Sequence, residues 1–288
     1  MDEQFYMEYK PLLFSIAYRL LGEVTMAEDI VHDIFVDSQS VDFGNVSNPK
    51  AYLCKMVTNR TIDFLKSAKK KREVYSGPWL PEPLVSYDNN PLETVIRHDR
   101  VSYALQMMLE QLGLFERAVY VLRVVFDYDY SEISTILGKS EATCRKILSR
   151  AKSKVSHLDF RMEDGYQPKQ VNHLINEFIY ASSTGNLQGL LTLLCDHSVL
   201  YSDGGGKVKA ALLPIYTSQH VAMFILGITK KAVSESFEVK FQNINGQTGI
   251  VILKGSEPES VITFHIEQEK IKNIYIIRNP DKLKHLTK

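Results

Sequence analysis

Long apolar runs are missing from this chain of 288 residues: nowhere do the roughly 18 consecutive hydrophobic side chains occur that a bilayer-spanning helix needs. Even Val221 to Ile228 is short and interrupted by Gly227. A transmembrane anchor is therefore not expected. The start, Met1-Asp2-Glu3-Gln4, is acidic where a signal peptide is basic, so the expected location is the cytoplasm. Cysteine is scarce as well. Cys54, Cys144 and Cys195 are odd in number and 90 and 51 residues apart, which supplies neither a disulfide framework nor a zinc-ligand spacing. They read as small buried hydrophobes. Net charge is absent too, with 34 Lys+Arg against 34 Asp+Glu. What remains is an ordinary globular composition, 44% hydrophobic and 24% charged, over a length that suits two or three domains.

The zero net charge conceals local polarisation. Residues 1–165 carry 21 basic and 24 acidic side chains, and residues 166–288 carry 13 and 10. Lys66, Lys69, Lys70, Lys71 and Arg72 crowd into seven residues without an acid; Arg145, Lys146, Arg150, Lys152 and Lys154 crowd into ten, again without one. A single run of this kind is usually a solvated helix face, but two at the ends of helical patterns point toward nucleic acid. Punctuation divides the chain further. Four of the ten prolines, Pro78, Pro81, Pro83 and Pro91, fall in fourteen residues, so residues 74–91 read as a connector. A second break lies at Asp164-Gly165-Tyr166-Gln167-Pro168.

The first block, residues 1–73, is helical. Leu12, Leu13, Ile16, Ala17, Leu20 and Leu21 repeat at helical spacing, and Gly22 stops the run. Thr25-Met26-Ala27-Glu28 is a capping-box signature for a second helix that buries Ile30, Val31, Ile34 and Phe35. Its other side carries Glu28, Asp29, Asp33 and Asp37, an anionic face. A third helix opens near Pro49 and runs into the first basic cluster.

In residues 92–160 an amphipathic pattern from Leu92 to Leu112 precedes a stripe of Ala118, Val119, Leu122 and Val125. Ser131 to Leu137 then forms a short helix, Gly138 ends it, and Ser140 caps another. This is a helix-turn-helix pattern. In its second helix Cys144, Ile147, Leu148, Ala151 and Val155 take the core side. Thr143, Arg145, Lys146, Ser149, Arg150 and Lys152 are left outward, where Arg and Lys can meet phosphates or guanine edges. A plain helical hairpin with a basic exterior is the alternative on this segment alone.

These residues resemble a known family. Leu21-Gly22, Met26 to Phe35, Asn48 to Leu53 and Thr58 to Asp63 are similar to the second domain of extracytoplasmic-function sigma factors. Phe115 to Val119, Tyr130 to Ile133 and Leu137 to Ala142 are similar to their fourth domain, in the same order, with no room for the intermediate sigma domain. The resemblance implies that Glu28, Asp29, Asp33 and Asp37 dock on core RNA polymerase. It implies that Asn59, Arg60 and Asp63 help open and read the −10 element, with Lys66, Lys69, Lys70, Lys71 and Arg72 gripping phosphates beside the melt. The helix from Ser140 to Lys154 would read the −35 element of promoter DNA in the major groove. Phe115, Asp127 and Cys144 depart from the family pattern, which commonly has proline, glycine and an aliphatic residue there; this bears on promoter sequence rather than fold. Because the first half is net acidic, the free chain is expected to bind duplex weakly: about ten phosphate contacts would give a log–log salt slope near −9, reduced by the surrounding acids.

Residues 168–288 change character. Helical patterns at Val171 to Ser182 and Leu187 to Leu194 give way to strands at Ser198 to Tyr201, Phe237 to Phe241, Ile250 to Leu253, Val261 to Ile266 and Ile271 to Ile277, with turns at Asn245-Gly246 and Gly255. By block order this is α+β. The expected architecture is multidomain: two all-α domains, the second with a helix-turn-helix, then an α+β domain that resembles the SnoaL-like cone fold. Sigma factors with that domain fused at the C-terminus form a subgroup whose marks stand here: Gly77-Pro78-Trp79-Leu80-Pro81-Glu82-Pro83 in the connector, Asp203-Gly204-Gly205-Gly206-Lys207, and Asn279-Pro280-Asp281-Lys282-Leu283. The glycine triplet is not a Walker loop, since Tyr201 and Val208 stand where glycine and Ser/Thr are required. A hairpin turn and an interdomain contact through Asp203 and Lys207 are the readings that remain. Asp203, His220, His265 and Arg278 are the catalytic candidates of a SnoaL-like cavity, yet no spacing identifies a nucleophile, metal triad or acid–base pair. The resemblance instead implies a regulator acting in cis, a monomer, no cofactor, and room for a small ligand that the sequence does not name. The competing function is a one-component regulator binding a palindromic operator without polymerase.

Overall fold

The computed structural model describes residues 3–73, 75–86, 102–156, 168–232 and 237–286. The chain divides into two compact units: residues 1–73, 88–101 and 105–160 form one, and residues 74–87, 102–104 and 161–288 the other. The proline-rich segment is thus shared between them, with 74–87 belonging to the second.

The first unit is all-helical. Helix α1 (Glu3–Leu21) packs on α2 (Val24–Asp37) and α3 (Pro49–Glu73) through Leu13, Ile16, Ala17, Leu20, Ile30, Val31, Ile34, Leu53 and Val57, all buried. Thr25 lies inside α2 and Glu23 is the extended N-cap residue, so the expected capping box is not what opens this helix. Helix α4 (Tyr103–Glu110), which belongs to this unit from Leu105 onward, is followed by α5 (Leu114–Tyr120), which widens into a π turn at Val121–Val125. The segment from Leu92 to Val101 lies outside the described residues. Asp127, where glycine is common, has a φ of 54°, a left-handed conformation that aspartate tolerates better than most residues and that Arg123 ties down at 2.7 Å.

Helices α6 (Tyr130–Leu137) and α7 (Glu141–Val155) make the helix-turn-helix. Asp129 and Glu132 cap α6 reciprocally, Gly138 terminates it at φ 62°, and the Ser140 hydroxyl accepts from the Thr143 N–H. Cys144, Leu148, Ala151 and Val155 are buried as their period requires, and Ile147 is half-buried.

The second unit is α+β. Its sheet has the order β1-β4-β5-β6-β7-β2-β3, from β1 (Val85–Ser86), β2 (Leu194–Asp203), β3 (Ile215–Tyr216), β4 (Phe237–Ile244), β5 (Gln247–Lys254), β6 (Glu257–Glu267) and β7 (Lys270–Ile277). Among the described residues, only β2 and β7 pair in parallel. Helices α8 (Pro168–Ser183), α9 (Leu187–Leu193) and α10 (Ser218–Ala232) supply Ile175, Phe178, Leu190, Val221 and Ile225 to a core closed by Leu200, Ile250, Phe264, Ile274 and Ile276 from the sheet. Asn245 and Gly246, at φ 50° and 75°, form the two-residue hairpin turn their sequence announces.

Candidate nucleic-acid and partner interfaces

On α2 the helical period that sinks Ala27, Ile30, Val31, Ile34 and Phe35 leaves Glu28, Asp29, Asp33 and Asp37 exposed on the other side. The face is not purely anionic. Arg60 of α3 reaches Asp33 at 3.1 Å and also bonds Asp37, so one guanidinium bridges two of the four carboxylates. Both partners are about half exposed, and such pairs contribute little stability. Their consequence is positional: Arg60, expected at DNA, is held on the acidic face. Asp63 is exposed and paired with Lys66 at 2.8 Å.

The backbone of Lys69, Lys70, Lys71 and Arg72 continues α3, while their side chains lie outside what is described. On α7, Thr143, Arg145, Lys146, Ser149, Arg150 and Lys152 are all exposed. Arg145 is engaged by Glu141 at 2.6 Å and lies over the Tyr130 ring at 4.2 Å; Lys154 reaches Glu116 at 2.7 Å. The close ion pairs described on α7 involve Arg145 and Lys154 and not Lys146, Arg150 or Lys152, although Arg150 lies near enough to Glu116 to help lower its pKa. On this helix Lys146 and Lys152, with Arg150 beside Glu116, are the exposed cations left to meet a phosphate.

Within this unit the N-terminal helices and the helix-turn-helix are joined by polar contacts that no periodicity announces. Asn59 Nδ2 donates to the Ile136 carbonyl at 3.2 Å, and α3 packs along α6. Cys54 Sγ lies 3.1 Å from Tyr128 Oη; burial raises both the thiol and the phenol above their ordinary pKa values. Arg117 donates to the Leu20 carbonyl at 2.7 Å and grips Glu110 with both nitrogens, at 2.6 and 3.0 Å. Gln106 Nε2 reaches the Tyr18 and Arg19 carbonyls at 3.2 and 3.3 Å. Thr58 and Thr61 hydroxyls are buried without a hydrogen-bond partner among the described residues.

The second unit gathers the three sequence marks around one carboxylate. Asp203, at the end of β2, is fully buried and accepts from the Tyr75 hydroxyl at 2.6 Å, the Leu80 N–H at 3.0 Å, the Gly205 N–H at 2.9 Å and Lys282 Nζ at 2.7 Å. Burial, followed by the neighbouring carboxylate, pushes the Tyr75 phenol well above its ordinary pKa, so it stays the donor. Lys282 is itself buried, bonds the Leu80 carbonyl, and lies over the Trp79 and Tyr75 rings at 4.0 and 4.9 Å. Asn279 caps the short turn from Pro280 to Lys282 and donates to Tyr75 at 2.8 Å. Gly205 has φ 62°, and a Cβ there would collide with the Asn279 amide, which explains glycine at that position.

Along the connector, Leu80, Pro81, Glu82 and Pro83 are buried. Tyr103 Oη donates to the Pro81 carbonyl at 2.7 Å, and His285 Nε2 meets the Pro83 carbonyl at 2.8 Å. Leu84 exchanges two bonds with Asn245, at 2.8 and 2.9 Å, after which Val85–Ser86 joins the sheet. Lys207 pairs with Asp281 on the surface rather than with the connector. Leu283 is buried beside this cluster.

Of the four catalytic candidates, Asp203 and Arg278 are neighbours through the backbone, the Arg278 N–H donating to the Asp203 carbonyl at 2.8 Å, but the Asp203 carboxylate is taken up by the connector cluster and the other two stand apart. His265 bonds Asn273 at 2.9 Å, His220 bonds Thr217 at 3.0 Å on the exposed start of α10, and Arg278 bonds Glu259 and the Lys209 carbonyl. No helix among the described residues is long and apolar enough to cross a membrane.

Comparison with known proteins is consistent along the chain. Residues 5–71 match the family model Sigma-70 region 2, and residues 102–155 match Sigma-70, region 4. The chain is 30% identical over 280 residues to the ECF RNA polymerase sigma factor SigJ of Mycobacterium tuberculosis, covering 94% of this chain and 89% of that one. It is 26% identical over 284 residues to the probable ECF RNA polymerase sigma factor SigI of the same organism, covering 96% and 92%. The crystal structure of M. tuberculosis SigJ superimposes with a TM-score of 0.81 at 26% identity, over 98% of each chain.

Proposed function

The chain belongs to the extracytoplasmic-function RNA polymerase sigma factors, and from that premise we propose how its surfaces divide the work of promoter recognition. As a sigma factor it directs core polymerase to specific promoters for transcription initiation. In this reading Glu28, Asp29, Asp33 and Asp37 dock on the polymerase, and α7 enters the −35 major groove with Lys146, Arg150 and Lys152 on phosphates. Asn59, Arg60 and Asp63 serve the −10 element, followed by the cationic end of α3. One copy acts per polymerase, in the cytoplasm, and residues 1–73 and 92–160 are the two sigma domains joined by 74–91.

The observation that carries the reading is the closed seam. Asn59 cannot read a base while its amide is held by the Ile136 carbonyl, and Arg60 cannot reach DNA while bridging Asp33 and Asp37. Polymerase docking on α2 competes for those carboxylates and thereby frees Arg60, which couples docking to DNA reading. The SnoaL-like domain then acts as a regulator rather than a catalyst, because its three marks converge on the connector through Asp203 and Lys282. Holding or releasing the connector changes how freely the two DNA readers separate. A small ligand that binds the domain better in one of those arrangements would shift promoter access.

The test is a pull-down of purified core polymerase by the full chain, alongside the double variant Asp29→Arg with Asp33→Arg. Saturable binding lost in the variant is the expected result. Undiminished binding would refute the docking face. A tight, dimeric, polymerase-independent complex with a palindromic duplex would favour the one-component reading instead.

A further inference from the structure

Among the described residues, strand β4 leaves most of one edge without a strand partner. Its inner edge pairs with β5 along the whole length from Phe237 to Ile244, but on the outer side β1 reaches only Asn243 and Ile244. Phe237 to Gln242 have no outer strand partner among the described residues. The apolar side chains there are uncovered as well: Val239 is 48% and Phe241 47% exposed. Opposite them on β5 stand Ile252 and Ile250, which belong to the core or pack on it, so the core-facing side of the sheet continues onto β4 beyond its cover.

The direction of the free backbone groups follows from the hairpin. Ile244 and Gln247 flank a two-residue turn and form its hydrogen-bonded pair, so Gln242, Lys240 and Glu238 also aim their N–H and C=O groups at β5. Phe237, Val239 and Phe241 aim theirs outward. The bond from the Asn245 N–H to the Leu84 carbonyl at 2.8 Å, on that outer side, fits the same alternation.

The exposed segment reads Phe237-Glu238-Val239-Lys240-Phe241, which is symmetric in character about Val239. Charges on an edge strand normally deter pairing. Here the two charges have opposite sign and equal distance from the centre. An identical strand laid antiparallel with Val239 facing its own copy sets Glu238 against Lys240 twice and Phe237 against Phe241 twice. The same register brings every outward N–H and C=O of residues 237, 239 and 241 to a partner. Within one chain Glu238 and Lys240 already lie 3.3 Å apart on one face, which keeps both charges at the height a cross-strand partner would meet.

We propose that free chains associate as a two-fold pair through the outer edge of β4, centred on Val239, joining two sheets into one. The occupant is a second copy because only an identical strand satisfies this charge and aromatic symmetry. The interface is short, and its dimer is weak and reversible. It concerns the free protein; at the promoter a single copy per polymerase suffices.

Sedimentation velocity on the full chain across a concentration series tests this, with three variants. Wild type shifts from monomer to dimer as concentration rises. Lys240→Glu and Glu238→Lys each set like charges opposite one another twice and weaken the dimer about tenfold or more. Mixing these two variants restores association, since an all-acidic edge then faces an all-basic one. The doubly exchanged chain, Glu238→Lys with Lys240→Glu, dimerises like wild type. A wild type that stays monomeric throughout overturns the proposal. A dimer that persists in both single variants, or a mixture that fails to associate, overturns it too.

Discussion

Replacing Asp203 by alanine removes the acceptor for four donors at once: the Tyr75 hydroxyl, the Leu80 and Gly205 N–H groups, and Lys282 Nζ. Most of the cost is electrostatic. Lys282 and Asp203 have side chains only 6% and 0% exposed, and breaking a buried pair from one side costs about 3–5 kcal/mol because the other charge is left stranded. The chain has an escape that a core mutation lacks, since the connector can leave the domain and let Lys282 reach water. The cost therefore shows itself as release of residues 75–84 rather than as unfolding, and at about 1.4 kcal/mol per decade the docked-to-released ratio falls at least about a hundredfold. Trp79 is the only tryptophan in the chain and its ring lies 4.0 Å from Lys282 Nζ, so it reports the event directly. The expected result is a red-shifted Trp79 emission and proteolytic nicking within the connector, with the β-sheet circular dichroism signal retained. Adding Lys282→Met removes the stranded ammonium, and the double variant should be less perturbed than the two single effects sum to, by about 1 kcal/mol or more. Unchanged Trp79 emission in Asp203→Ala, or strict additivity in the cycle, would refute the idea that this buried pair latches the connector.

Other consequences are open to direct measurement. Lys146→Ala and Arg150→Ala should each lower the salt dependence of promoter binding by about one unit of log–log slope, and an unaltered slope in fluorescence anisotropy would remove α7 from the phosphate contacts. Cys54 is fully buried with its thiol pKa raised by burial, so pulse alkylation read by mass spectrometry should find it slow. Asn59→Ala should speed its modification relative to Cys144 by loosening the seam; an unchanged ratio would show that the Ile136 contact does not hold it. Asp281 is depressed by hydrogen bonds from Lys207 and Lys284, so the stability it lends is present above the ordinary aspartate pKa and lost as pH falls through its lowered value. Lys207→Met should move the acid midpoint of Trp79 emission upward, and an unmoved midpoint would show that the surface pair does not support the terminal turn.

The sequence was most legible where local chemistry decides the structure. Gly138 and Ser140 mark the turn of the helix-turn-helix because a left-handed residue and an N-cap are local demands, and Asn245-Gly246 marks its hairpin for the same reason. The acidic face of α2 and the outward cations of α7 followed from period alone. Misreadings arose where several local signals competed. Thr25 and Glu28 have the spacing of a capping box, yet Gly22 ends α1 so close by that the chain re-enters helix at Val24 with Glu23 as its cap residue. Gln268 and Glu269 turn the β6–β7 hairpin with positive φ and no glycine to announce it. Helix α10 was visible only as a short apolar run. Contacts made across long sequence separations left no local trace: Asn59 with Ile136, Arg60 with Asp33 and Asp37, and Leu84 with Asn245. An interdomain contact through Asp203 and Lys207 was one reading of the glycine triplet; Asp203 instead binds the connector inside one unit and Lys207 pairs with Asp281, and the donors Tyr75 and Lys282, like the recruitment of Val85–Ser86 into the sheet, required the fold.

In the proposed mechanism this chain's promoter use depends on core polymerase and on the latched connector. The direct measurement is promoter-specific transcription in vitro with core polymerase, titrating the wild-type chain against Asp203→Ala at one salt concentration. The expected result is initiation that requires both core enzyme and this chain, with an apparent affinity or activity that changes when the latch is removed. Initiation indifferent to the chain would contradict the sigma assignment, and identical curves for the two forms would contradict control through Asp203.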